Sequence, residues 1–248
     1  MNIFKYLEIN IFVYLFACMA ILTASFIPFF IITVLIIIHE LGHFIAAKAM
    51  NIEVKKIYLY PFGGISKFYL PLNTEIKKET FILAMGPIFQ IIAKELLLFI
   101  LPKYKEMILI YHYGILFFNL LPIYPLDGGK LLNLLLSKFI AYKKSLNISI
   151  IISYLTIIVV FLINIKNINL NLCIIVVFLI YKVTKEKRQI NYFYEKFLLE
   201  RYLGQYNFKK SKLIQNKDEF YRNKRHLLKI DEKYYLEKDF LAKIYKKT

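Results

Sequence analysis

Residues 37–45 contain the pattern His39-Glu40-x-x-His43 inside an apolar stretch, and this feature constrains the chain more than any other. On an α-helix, residues four apart lie on one face, so His39 and His43 can bind one zinc ion. Glu40 lies beside them, placed to activate a water molecule as general base. The thirteen residues before His39 carry no charge. A protease site within the lipid bilayer explains this combination, whereas a soluble protease has no need of such a stretch.

The composition is that of a polytopic membrane protein. Of the 248 residues, 58% are hydrophobic, which leaves room for about six spanning helices of ~20 residues. The net charge of +17 comes mainly from lysines in short connections and in the last third of the chain. This distribution is typical of membrane topology, and no nucleic-acid partner is expected. The cysteines, Cys18 and Cys173, both lie in apolar segments and predict no disulfide framework.

We predict an all-α fold with six spans, at about residues 9–25, 27–49, 81–101, 107–121, 147–165 and 168–183. Residues 1–184 would form the membrane domain, and residues 185–248 a basic, helical, cytosolic tail. Lysines are concentrated after spans 2 and 4, which predicts that both termini are cytosolic. The first span could also be a signal peptide, but Glu8 and the absence of a clear cleavage site favour an uncleaved helix.

This orientation predicts the depth of the site. If span 2 enters from outside near residue 27, His39 lies roughly 18 Å and His43 roughly 24 Å into a hydrocarbon core of about 30 Å. The peptide bond to be cut should therefore lie near the cytosolic face.

A second polar segment follows span 4. Two histidines and a water leave zinc one protein ligand short of its usual catalytic set. Pro122 and Pro125 break the helix, and Asp127 follows them and can both ligate a metal and cap the next helix. Asn119 is predicted to face the metal and to bind the substrate carbonyl or its oxyanion. The alternatives are a plain N-cap for Asp127 and a helix–helix hydrogen bond for Asn119.

The connection between spans 2 and 3 is predicted to form two short strands. Pro61-Phe62-Gly63-Gly64 is typical of a turn between them. As a hypothesis, one strand edge pairs with an unwound substrate segment near the metal. The alternative is an ordinary amphipathic cytosolic loop.

The two polar segments together resemble the site-2 protease family of intramembrane zinc metalloproteases. The segment Asn119-Leu-Leu-Pro-Ile-Tyr-Pro-Leu-Asp-Gly-Gly-Lys130 is most similar to the sporulation branch, the stage IV sporulation intramembrane proteases. Gly86-Pro87 also looks like the family's Gly-Pro element, and the loop 54–68 looks like its membrane-re-entrant loop. The resemblance covers about residues 25–200.

The resemblance implies three zinc ligands, His39, His43 and Asp127, with Glu40 as catalytic acid/base. It also implies that the substrate is a membrane-associated proprotein, the precursor of a late mother-cell sigma factor (sigma-K type). The expected location is the outer forespore membrane, facing the mother cell. Inhibitory membrane partners are compatible with this branch, but the sequence does not name them.

Other polar residues are interpreted as structural. Lys94 and Glu95 are explained by snorkelling or local pairing, His112 by a position in an aromatic belt, and His226 by surface exposure in the tail. A helix is predicted to end at Gly204. The tail is shorter than the branch's regulatory nucleotide-binding domain and has no phosphate-cradling glycine pattern, so the sequence leaves open whether the tail binds ATP.

Three other functions are alternatives to an intramembrane protease. A catalytically silent relative that retains a membrane protein predicts loss of Glu40 or Asp127, and both are present. A metal transporter would use the histidines for translocation but does not explain Glu40 or the proline-rich break. A membrane-anchored zincin with a soluble site would need its motif in a polar segment.

Overall fold

The structure is a computed structural model that describes residues 7–60, 63–167, 169–208, 210–230 and 233–245. The elements in chain order are β1 (Leu7–Ile9), α1 (Ile11–Leu22), α2 (Phe26–Ala49), β2 (Val54–Tyr60), β3 (Gly63–Phe68), α3 (Ile76–Ile100), α4 (Lys105–Leu120), α5 (Asp127–Ser137), α6 (Tyr142–Ile163), α7 (Leu170–Leu203), β4 (Ser211–Ile214), β5 (Arg225–Ile230), β6 (Lys233–Leu236) and α8 (Glu237–Tyr245). Short 3₁₀ turns lie at Pro102–Tyr104, Ile165–Asn167 and Lys217–Glu219.

The chain forms two compact units. The first contains residues 1–70 and 80–119, and the second contains residues 71–79 and 120–248. In the first unit, buried apolar side chains of α2 pack with those of α3 and α4, among them Ile31, Leu35, Ala93, Leu97 and Ile108. α2 and α3 come very close at Gly42, where a Cβ would stand 2.4 Å from the Met85 carbonyl oxygen. A glycine is required there because any side chain would collide with backbone.

The predicted strand pair is present, and a third strand joins it. β2 and β3 pair antiparallel, with Tyr58 opposite Ile65, and β1 pairs parallel with the other edge of β2. Within the described residues, no strand pairs with the outer edge of β3. Pro61 and Phe62, predicted for the turn, lie outside the described residues. Whether this sheet enters the membrane stays a prediction.

Three of the described helices are long and apolar enough to cross a membrane. They are α2, α3 and α6, with 24, 25 and 22 residues. α1 has 12 residues, which at about 1.5 Å per residue is short of a hydrocarbon core of about 30 Å. The chain is therefore an integral membrane protein with a mostly helical fold, and the count of six spans stays a prediction. The boundary between membrane domain and tail at residue 184 also stays a prediction, since α7 runs through it as a continuous helix.

The prediction of a helical tail was wrong in part. α7 ends at Leu203, as expected from Gly204, but the chain then forms a three-stranded sheet of β4, β5 and β6, followed by α8. β4 pairs parallel with β5, and β5 pairs antiparallel with β6. The strands have only four to six residues, so their period-two pattern is weak.

The expectation that His226 is exposed was also wrong. Its side chain is fully buried, with Nδ1 3.0 Å from Glu237 Oε2. Its Nε2 accepts a hydrogen bond of 2.9 Å from the backbone N–H of Tyr221. The Nε2 atom therefore has no proton, and Nδ1 donates to Glu237. The burial follows from partners that are distant in sequence and invisible to a local pattern.

Candidate metal centre

The two histidines lie on the same side of α2, as the sequence predicts. Their Nε2 atoms are 3.2 Å apart, and both side chains are buried. Two nitrogens bound to one tetrahedral zinc at about 2.05 Å would be roughly 3.3 Å apart. The observed separation therefore suits a single ion held by both rings.

Hydrogen bonds at the far side of each ring define the proton positions. His43 Nδ1 lies 2.8 Å from the Ile82 carbonyl oxygen, which can only accept, so this nitrogen donates. His39 Nδ1 lies 3.0 Å from Gln90 Oε1. The Gln90 amide nitrogen in turn donates to the His112 carbonyl at 3.0 Å, which sets the orientation of the amide. Both rings thus carry their proton on Nδ1, and each Nε2 has the electron pair that a metal needs.

The absence of a side chain at Gly86 leaves space at these nitrogens. A Cβ at this position would stand 2.3 Å from His43 Nε2 and 2.9 Å from His39 Nε2. Gly86 belongs to α3, directly before Pro87. The backbone of α3 thus borders the side of the two rings on which an ion would bind.

Glu40 is buried, and the sheet packs directly against it. A Cβ at Gly64 of β3 would stand 2.2 Å from Glu40 Cγ and 2.7 Å from Glu40 Oε1. Gly64 of the predicted loop therefore lies next to the Glu40 side chain.

Asp127 lies in the second unit, as the first residue of α5. It is 8% exposed, and its Oδ1 lies 3.7 Å from Lys130 Nζ. The N-cap is Leu126, so the prediction that Asp127 caps the helix was off by one residue. A carboxylate in the first turn is still favoured by the helix dipole.

Residues before Asp127 fold back onto the start of α5. The Tyr124 N–H donates to Ser153 Oγ at 2.8 Å, and the Tyr124–Pro125 peptide bond is cis. A Cβ at Gly128 would stand 2.1 Å from the Leu120 carbonyl oxygen. The backbone is packed too closely there for any other residue.

The residues present fit a zinc ion. His39, His43 and Asp127 are each buried, and their side chains are of the kinds that bind zinc. Two neutral imidazoles and a carboxylate are a usual ligand set for catalytic zinc. Asn119, the predicted oxyanion residue, is half-buried near the end of α4, and its role stays a prediction.

Sequence reasoning missed Gln90. Gln90 is fully buried and is the only glutamine or asparagine in the sequence of α3, a signal that could have marked it. The His112 side chain is buried, its carbonyl accepts the hydrogen bond from Gln90, and its place in an aromatic belt stays a prediction. Lys94 and Glu95 form a local ion pair of 2.7 Å, as predicted.

The chain is similar to known proteins. The sequence model of Peptidase family M50 matches residues 27–106 and 102–163. The chain is 31% identical over 207 residues to Stage IV sporulation protein FB of Bacillus subtilis, covering 80% of this chain and 72% of that protein. A zinc metalloprotease of Methanocaldococcus jannaschii is 29% identical over 172 residues, 65% of this chain and 50% of that protein.

A solved structure supports the same conclusion. The site-2 protease from Methanocaldococcus jannaschii matches with a TM-score of 0.56 and 25% identity, over 73% of this chain and 89% of that one. The resemblance found in the sequence is thereby confirmed. The chain belongs to Peptidase family M50 and is a zinc metalloprotease of the membrane.

Proposed function

We propose that this chain hydrolyses a peptide bond of a membrane-associated proprotein at a zinc site formed by His39, His43 and Asp127, with Glu40 as acid/base. The observation that carries the proposal is the pair of unprotonated Nε2 atoms 3.2 Å apart, in the same helical turn as Glu40. Asp127 would be the third ligand. Its burial and chemistry support this role.

Zinc at this site would supply a Lewis acid for the scissile carbonyl and lower the pKa of a water molecule. Glu40 would take one proton from the attacking water as its oxygen bonds to the carbonyl carbon. Glu40 would then give that proton to the nitrogen as the C–N bond breaks, so that a carboxylic acid, which keeps the second water proton, and an amine leave. Asn119 would donate its amide hydrogen to the oxygen that becomes negative.

The sheet would present the substrate. The edge of β2 is already paired with β1, whereas the described part of the chain pairs no strand with the outer edge of β3. An extended substrate segment added to β3 would run beside Glu40, because Gly64 of this strand contacts the Glu40 side chain. Pairing through backbone atoms would tolerate many sequences. Pro61, Phe62 and Gly63 complete the proposed substrate loop.

The substrate proposed is a sporulation sigma-factor precursor of the sigma-K type. Similarity to Stage IV sporulation protein FB supports a role in sporulation. The lysine distribution supports cytosolic termini and a cut near the cytosolic face. We place the enzyme in the outer forespore membrane, facing the mother cell.

The test is coexpression of the chain with the candidate precursor. We expect a shortened product from the wild type and none from Glu40→Gln. Glu95→Gln is the matched control, because it makes the same change at an exposed carboxylate of α3 and should process normally. Equal processing by wild type and Glu40→Gln would remove Glu40 from its role. If the wild type binds zinc but leaves the precursor intact, only the proposed identity of the substrate is wrong.

A further inference from the structure

We infer that Gln90 is a positioning residue for the metal centre, one that sets the tautomer and the orientation of His39. The inference rests on the proposed function, since it takes His39 as a zinc ligand. Gln90 touches neither the ion nor the substrate in this role. It acts only through the imidazole ring of His39.

The first step of the argument is that the amide of Gln90 has only one workable orientation. Its nitrogen lies 3.0 Å from the His112 carbonyl, which has no hydrogen to give. The reverse orientation would place two acceptors against each other at this distance, in a position with no exposure to solvent. Gln90 Oε1 must therefore face His39 Nδ1.

The second step concerns His39. An acceptor at 3.0 Å from Nδ1 holds the proton on that nitrogen and leaves Nε2 for the ion. It also fixes the rotation of the ring, whose plane lies at 84° to that of His43. Outer partners of this kind raise the basicity of a ligating histidine and are typically worth 10- to 100-fold in metal affinity.

The third step is that the two histidines are supported differently. His43 donates to the backbone carbonyl of Ile82, which no substitution removes. His39 depends on a side chain that is itself held from α4 through His112. Within this described set of hydrogen bonds, Gln90 is therefore the one residue whose substitution can weaken zinc binding without removing a ligand.

The experiment measures the zinc dissociation constant of the metal-free, detergent-solubilised full chain by competition with a chelator. Gln90→Met keeps the volume but removes the acceptor, and we expect zinc affinity to fall 10- to 100-fold. Gln90→Glu keeps an acceptor for His39 Nδ1, and its carboxyl group, protonated at this buried position, donates to the His112 carbonyl in place of the amide, so we expect affinity within about threefold of the wild type. Tyr154→Phe is the control. It removes a partly buried hydrogen bond of 2.8 Å to Thr184 in α7 and should leave zinc affinity unchanged.

Wild-type affinity in Gln90→Met would overturn the inference. If Gln90→Met does not fold, the Gln90→Glu variant decides, because a tenfold weaker affinity in that variant would equally overturn it. Failure of the proposed function has a different signature. In that case the wild type itself would not retain zinc, or His39→Ala would bind it as tightly as the wild type.

Discussion

Arg201 Nη1 lies 3.0 Å from Glu237 Oε1, in an ion pair buried between the last turn of α7 and the first turn of α8. The guanidinium also donates to Asn73 Oδ1 and to the carbonyls of Lys224 and Arg222. Each partner lies at least 21 residues away in sequence. One cation thus connects α7, the tail sheet (β4–β6), α8 and the segment 71–79.

Replacing Arg201 with alanine should unfold the tail sheet. The change leaves the buried Glu237 carboxylate uncompensated and removes the donors from a buried carbonyl, that of Arg222, and a partly buried one, that of Lys224, a loss of about 3–5 kcal/mol. Native-state proteolysis of the tail measures this as a rise in cleavage rate. Lys196→Ala is the control, because its contact with Glu200 is exposed and 3.9 Å long, and its effect should stay below about 1 kcal/mol.

The tail should lose stability as the pH falls. Burial lowers the pKa of His226 below its ordinary value, and the nearby Arg201 adds to this effect against the opposing Glu237. The folded tail therefore favours the neutral ring, so stability is full above the unfolded pKa of about 6.5 and declines at lower pH. The rate of tail proteolysis should rise between about pH 7.5 and about pH 5.

The His226→Gln variant tests whether His226 causes the loss of tail stability at low pH. An amide can still accept from Tyr221 or donate to Glu237 but does not titrate, so the dependence near pH 6.5 should flatten. A second loss of tail stability, at lower pH and caused by protonation of Glu237, should remain. Burial tends to raise the pKa of Glu237, but His226 and Arg201 outweigh it and hold that pKa below its ordinary value. An unchanged profile in His226→Gln would contradict the assignment.

Gly86→Ala should abolish zinc binding. The new methyl group would stand 2.3 Å from His43 Nε2, at the position proposed for the ion. Zinc content per purified chain should drop from about one to near zero. Gly114→Ala is the matched control, because no atom lies within 4 Å of the added carbon in α4. That variant should keep its zinc.

Gly64→Ala should separate catalysis from metal binding. Its methyl group would collide with Glu40 Cγ, and the three atoms nearest to it would all belong to Glu40. We expect precursor cleavage to fall by at least about 100-fold, in line with the loss of a general base, while zinc content stays near that of the wild type. Loss of zinc in this variant would show that the sheet supports the ligands instead.

Asp127→Asn should weaken zinc binding, since a neutral amide replaces the only charged ligand of the proposed set. Competition with a chelator should show at least a tenfold rise in the dissociation constant. Lys130→Gln removes the cation 3.7 Å from the same carboxylate, and it should leave zinc bound. Equal affinities in the Asp127→Asn variant and the wild type would remove Asp127 from the ligand set.

The local parts of the site could be read from the sequence. His39 and His43 are four residues apart in one helix, so helical periodicity alone predicts their shared face. The strands on either side of Pro61 follow from a turn signal between apolar residues. Both predictions need only neighbouring residues.

The remaining features depend on partners far apart in the chain. Gln90 meets His39 across 51 positions, and Arg201 meets Asn73 across 128. The burial of His226 likewise depends on residues that no helical or strand period connects. The pairing of β1 with β2 was missed because a three-residue strand carries almost no periodic signal.

The contact between Asn73 and Arg201 bears on the order in which parts of the protein fold during synthesis. Asn73 is synthesised well before the residues it serves, and Arg222 later uses Glu79 of the same early segment. The carboxyl-terminal region therefore completes its hydrogen bonds on a segment that has already been made. Cut away from the chain, it would not be expected to survive as an autonomous folding unit.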